Sequence, residues 1–126
     1  MPKAKTILLV DDEPDILKIT TFRLKSAGYN VVTAEDGKAA LQAASKIKPD
    51  LILLDLGLPD IDGLEVHRRL KAVKQTRSIP VIFFTAKYSP NATKAKAILP
   101  VDGYIVKPYE PEQLVALIKE YLHKHK

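Results

Sequence analysis

Five short apolar runs, separated by stretches of helical length, constrain this chain more than any other feature. They fall at Thr6–Val10, Asn30–Ala34, Leu51–Leu54, Pro80–Thr85 and Tyr104–Val106. The segments ILLV, LILL and VIFF show no polar alternation, so strands made from them must be covered on both faces, the condition met by a parallel sheet inside a sandwich. Helical patterns lie between them. Ile16, Ile19 and Leu24 share one helical face, as do Val66, Leu70 and Val73, and Leu114, Leu117, Ile118, Tyr121 and Leu122 form the clearest stripe. Pro111, with Glu110 and Glu112 beside it, announces the last helix. This βα rhythm with short connections predicts right-handed crossovers and a doubly wound, three-layer α/β sandwich. Ser89–Leu99 carries little apolar anchorage and is expected to be a shifted or mobile helix.

At 126 residues, 46% of them hydrophobic, the chain has the length of one domain with a core of its own. Without cysteine it can form neither disulfides nor thiolate metal sites, which fits a reducing cytosol. The apolar run Ile7–Val10 is too short for a signal or membrane segment, so a cytoplasmic protein is expected. The net charge of +5 is uneven, at −2 over residues 1–63 and +7 over residues 64–126. Between Glu65 and Asp102 stand Arg68, Arg69, Lys71, Lys74, Arg77, Lys87, Lys94 and Lys96 with no acid among them. Solvated helix faces are the simpler account; a docking surface for an acidic partner or nucleic acid is the sharper one.

Ligands of open α/β sheets bind beyond the carboxyl ends of the strands. Those ends deliver Asp11 and Asp12 after strand one, Asp55 after strand three, Thr85 after strand four and Lys107 after strand five. Each has an ordinary alternative: Asp11, Asp12 and Glu13 could cap the helix begun by Pro14, Asp55 and Thr85 could shape turns, and Lys107 could be solvated. As a set they are harder to dismiss. Carboxylates gathered at one edge repel by about 4 kcal/mol per pair at ~4 Å and an effective dielectric of about 20, so the site calls for a cation. An all-oxygen donor set favours Mg²⁺ over zinc or copper. Carboxylates, a hydroxyl and a lysine around such an ion suit phosphoryl handling, with Asp55, alone on the central strand, as the candidate nucleophile.

At this point the chain resembles a response-regulator receiver domain of bacterial two-component signalling, similar to chemotaxis regulators. ILLVDDEPDI, PDLILLDLGLPDIDGLEV, IPVIFFTA and DGYIVKPYEPEQL stand in the family's order and spacing and cover nearly the whole chain. The resemblance implies a flavodoxin-like (βα)5 fold with strand order 2-1-3-4-5, and a single receiver domain over residues 1–126 with no output domain. It makes Asp55 the phosphoacceptor and assigns Mg²⁺, or Mn²⁺ in its place, to Asp11, Asp12, Asp55 and the backbone carbonyl of Gly57. Thr85 and Lys107 would bind phosphoryl oxygens, Thr85 and Tyr104 would form the switch, and the Lys107–Pro108 peptide would be cis. The implied partner upstream is a histidine kinase or histidine phosphotransfer protein. Downstream, the last two helices and strand five would signal an output protein or a phosphorylation-dependent homodimer, without direct nucleic-acid binding. Such a domain is not an enzyme in its own right, although it assists its own phosphorylation and dephosphorylation.

Three positions depart from the family pattern. Gly57 replaces a side chain that overhangs the site, and Lys87 puts a long cation at its rim; this pair is expected to tune the lifetime of the aspartyl phosphate. Gly57 could instead serve loop geometry alone. Pro100 stands where a glycine is usual, and it cannot take a positive φ, so the preceding helix should end differently. The rival readings are a phosphohydrolase with its nucleophile after strand one, a degenerate receiver acting as a scaffold, and a flavodoxin-like cofactor binder. The first would want Asp where Glu13 stands, the second would lack one of the key positions, and the third lacks a phosphate-cradling loop. Asp60-Ile-Asp62-Gly63 reads as a turn rather than a calcium loop. His67 stands alone in sequence, and His123 and His125 belong to a frayed tail.

Overall fold

The computed structural model describes residues 4–86, 103–107 and 110–124. Strands β1 (Thr6–Val10), β2 (Asn30–Ala34), β3 (Leu51–Asp55), β4 (Val81–Ala86) and β5 (Gly103–Lys107) form one sheet in the order β2-β1-β3-β4-β5. Every pairing is parallel. The described helices are α1 (Pro14–Ser26), α2 (Gly37–Ile47), α3 (Gly63–Ala72) and α4 (Pro111–Lys124). The expected helix at Ser89–Leu99 lies outside the described residues.

The sheet is covered on both faces, which is why its central strands carry no polar alternation. β3 is buried at every position. Odd and even residues of a strand point to opposite faces. Leu8, Val10, Ile52, Leu54, Val81 and Phe83 pack with Ala40 and Ala44 of α2 and Val66 and Leu70 of α3. Ile7, Leu9, Leu51, Leu53, Ile82 and Phe84 pack on the other side with Leu17 and Leu24 of α1 and Leu114 and Ile118 of α4. These are the two interfaces of a three-layer sandwich.

Several expectations need correction. Of the expected face of α1, Leu24 is buried and Ile16 packs partly buried against the core, but Ile19 is 59% exposed, and the buried stripe is Leu17, Thr20 and Leu24. Positions 17, 20 and 24 fit the helical period more tightly than the expected set, but a buried threonine hides the stripe from a reading by hydropathy. Val73 is 43% exposed, because α3 ends before it and its extended backbone turns it off the helical face. β3 and β5 each run one residue past the expected end, so Asp55 and Lys107 are strand residues rather than residues after strands, and β4 runs on to Ala86, which leaves Thr85 one residue inside its strand. The stripe of α4 is as expected, with Leu114 and Ile118 buried and Leu117, Tyr121 and Leu122 partly so. At its start the Gln113 side chain accepts from the Glu110 N–H at 3.2 Å, half of a capping box.

Candidate functional site

The chain order reverses between β1 and β3, and the carboxyl ends of these neighbours are where such a sheet opens a crevice. Val10 pairs with Leu54, so Asp11, just past β1, and Asp55, the last residue of β3, lie at the same level. Both continue the odd series of their strands and therefore face the α1 side of the sheet. Asp11 is fully buried and Asp55 only 6% exposed, while Asp12 and Glu13 are exposed at the mouth. Carboxylate oxygens of Asp11, Asp12, Glu13 and Asp55 all lie within 4.8 Å of one another. Two buried acids beside two exposed ones, with only oxygen to offer, suit a hard divalent cation such as Mg²⁺ far better than a soft metal.

Local structure fixes these groups. Asp11 Oδ1 accepts from the Glu13 N–H at 2.9 Å, and the Asp11 N–H donates to the Ala34 carbonyl at 3.1 Å, which holds the turn between β1 and α1. Glu13 is the N-cap residue of α1, yet its side chain makes no cap. Its carboxylate joins the acidic cluster instead, a membership that the sequence reading missed although DDE stands as an unbroken acidic triplet. Asp55 Oδ1 accepts from the Gly57 N–H at 2.9 Å.

The loop from β3 to α3 is held closely at three points. Besides the bond from Gly57, the Gly63 N–H donates to Leu56 O at 3.3 Å, and a Cβ on Gly63 would meet the Asp55 carbonyl and Leu56 Cα at 2.7 Å. Only glycine lets α3 begin so near the end of β3. Asp62 caps α3 through the Leu64 N–H at 2.8 Å, so the supposed calcium loop is a turn and a helix start. Between these points Asp60 reaches another element, accepting from the Gly37 N–H at 2.7 Å and the Lys38 N–H at 3.0 Å at the head of α2. Desolvation pulls the Asp60 carboxyl upward, but bonds from the N–H groups of Gly37, Lys38, Ile61 and Asp60 itself outweigh it and hold the group below its ordinary value.

By backbone register Thr85 sits opposite Val106 and Lys107 opposite Ala86, so both lie near the same edge as Asp55, which pairs with Phe84. The side chains of Thr85, Tyr104 and Lys107 lie outside the described residues, as do Lys87, Pro100 and Pro108 altogether. The structure brings His67 to the α3 side, buried with its ring centroid 5.3 Å from that of Phe83 and away from the acidic cluster. Much of the described basic segment is structural. Arg68 and Arg69 clasp Glu65, with contacts of 2.6 to 2.8 Å, and Lys71 Nζ donates to the carbonyls of Arg77 and Ile79.

Residues 7–119 match the family described as the response regulator receiver domain. The chain belongs to that family. It is a receiver domain of two-component systems, a signalling domain. It is 42% identical over 120 residues to the phosphate regulon transcriptional regulatory protein PhoB of Pseudomonas aeruginosa, an alignment covering 95% of this chain and 52% of PhoB. The receiver thus spans about half the length of the curated relatives it matches. Among solved structures, the chemotaxis response regulator CheY4 of Vibrio cholerae superposes with a TM-score of 0.86 at 30% identity, over 94% of this chain and 99% of that one. The receiver domain of a sensor histidine kinase from Pseudomonas aeruginosa PAO1 superposes with a TM-score of 0.88 at 28% identity, over 96% and 99% of the two chains, and it holds a magnesium ion in its active-site cleft. No helix among the described residues is long and apolar enough to cross a membrane.

Proposed function

We propose that this receiver accepts a phosphoryl group on Asp55 from a phosphohistidine of a histidine kinase or phosphotransfer protein. The observation that carries the reading is the placement of one nearly buried carboxylate, Asp55, at the end of the central strand among three other acids. Asp11, Asp12, Asp55 and the Gly57 carbonyl would hold Mg²⁺, which when bound neutralises the acids and the incoming phosphoryl oxygens. The Gly57 N–H, 2.9 Å from Asp55 Oδ1, orients the carboxylate and keeps its lone pairs from rotating away from the incoming group. An Asp55 oxygen attacks phosphorus in line, the P–N bond of the phosphohistidine breaks, and its electron pair returns to the imidazole. The product is an acyl phosphate and a histidine ready to take up a proton. Thr85 and Lys107, on the neighbouring strand ends, serve as hydroxyl and cationic partners of the phosphoryl oxygens.

Phosphorylation adds charge at the carboxyl edge, and we assign Thr85 and Tyr104 the response that remodels the β5 and α4 surface for an output protein or a second phosphorylated copy. The domain assists its own phosphorylation and loses the group by hydrolysis, without other turnover. The test is intact mass after incubation with acetyl phosphate and Mg²⁺, comparing the native chain with Asp55→Ala. One phosphoryl adduct that requires Mg²⁺ and is absent from the variant is the expected result. No adduct on the native chain, together with no response to beryllofluoride, would overturn the reading in favour of a scaffold without phosphoryl chemistry.

A further inference from the structure

Asp60 lies three residues beyond Gly57, and besides the N–H groups of Ile61 and Asp60 in its own loop its carboxylate engages a second element. Its two carboxylate oxygens span the first two amides of α2, Oδ1 on Gly37 at 2.7 Å and Oδ2 on Lys38 at 3.0 Å. The helix already has a cap of its own, since the Asp36 side chain accepts from the Ala39 N–H at 2.7 Å. Position 37 is shaped to admit the loop: a Cβ there would come within 2.9 Å of Ile61 Cβ and Val66 Cγ2 and 3.3 Å of Asp60 Oδ1. Asp36 takes only the Ala39 N–H, so Asp60 satisfies the two first-turn amides that Asp36 leaves, and the same two charge-assisted bonds tie a short connection to a rigid element.

We propose that Asp60 is a positioning residue of the phosphoacceptor site, its carboxylate clamping the β3–α3 loop to the head of α2 so that Gly57 stays at Asp55. The inference rests on the reading of Asp55 and Gly57 given above. It makes α2, which supplies no ligand to the cluster, a support for the cation site, and it separates two acids at the same helix end. Asp36 serves α2 alone; Asp60 serves the loop.

The test compares Asp60→Asn and Asp60→Ala with Asp36→Ala in the full chain, using amide hydrogen exchange at Gly57 without metal and a calorimetric titration with Mg²⁺ alone. Loss of the clamp is expected to speed exchange at Gly57 and to weaken Mg²⁺ binding about 10-fold, the scale typical of outer partners of metal ligands, while Asp36→Ala changes both by less than about twofold. All three variants should lose a similar few degrees of melting temperature, so stability alone does not separate them. Unchanged Gly57 exchange in both Asp60 variants, or an equal effect from Asp36→Ala, would reduce Asp60 to a second helix cap and overturn the proposal. If the native chain takes up no Mg²⁺, the cation reading fails, and the Gly57 exchange still decides whether the clamp exists.

Discussion

Gly57 and Gly63 stand six residues apart in one loop, and the backbone demands glycine at only one of them. A Cβ on Gly57 would meet nothing nearer than Asp55 Oδ1 at 3.8 Å, and its φ is not in the left-handed region. Loop geometry therefore does not require this glycine, which leaves its openness beside Asp55 as its distinguishing property. Gly57→Asn should fold normally and lengthen the life of the aspartyl phosphate severalfold by covering Asp55, and Lys87→Ala should also change that lifetime. Decay of the phosphorylated form by intact mass is the measurement, and unchanged lifetimes in both variants would sink the idea. At Gly63 the same addition would collide with backbone at 2.7 Å. Gly63→Ala should cost about 1–3 kcal/mol in urea unfolding, since the start of α3 must move off β3.

Helix α1 shows what the amphipathic pattern conveys and where it misleads. Leu17 and Leu24 are buried and Ile16 is partly so, whereas Ile19 is 59% and Phe22 71% exposed. Leu24→Ala should cost about 2–5 kcal/mol because it empties a fully buried site in the cluster on the α1 side of the sheet. Phe22→Ala should stay within about 0.5 kcal/mol of the native chain despite removing a larger side chain. Denaturant midpoints with unchanged slope would check both. Helix α3 carries the clearest electrostatic signature. The Arg68 guanidinium, and after it that of Arg69, hydrogen-bonds Glu65 and holds its carboxyl at about 2, against an ordinary value of 4.5. A depressed folded value means that the stabilisation is complete above the unfolded value and disappears as pH falls through the folded one. Stability should therefore fall between about pH 4.5 and pH 2, and Glu65→Gln should flatten part of that fall in thermal unfolding curves.

At the scale of the whole molecule, the cluster of like charges at the end of the sheet would couple cation binding to folding. Mg²⁺ binding only the folded chain should raise the melting temperature, by an amount equivalent to about 2.7 kcal/mol at a concentration 100 times its Kd, and Asp12→Asn should remove most of that gain. Calorimetry in Mg²⁺ and in chelator makes the comparison. Much of this molecule is written locally. The runs ILLV, LILL and VIFF dictate buried parallel strands, because a strand without polar alternation must be covered on both faces, and the acids at their ends marked Asp11, Asp12 and Asp55 as a group. Hydropathy placed Ile16 and Leu24 on the inward side of α1 but could not show that Thr20 rather than Ile19 is buried there, a choice made by the packing of the helix on the sheet. Nor could it show that Glu13 joins the cluster rather than capping its helix, or that Asp60 spends its charge on a helix 23 residues earlier in the chain. Those choices depend on where distant segments meet in space, and a one-dimensional pattern carries no record of such meetings until the sheet order has placed them side by side.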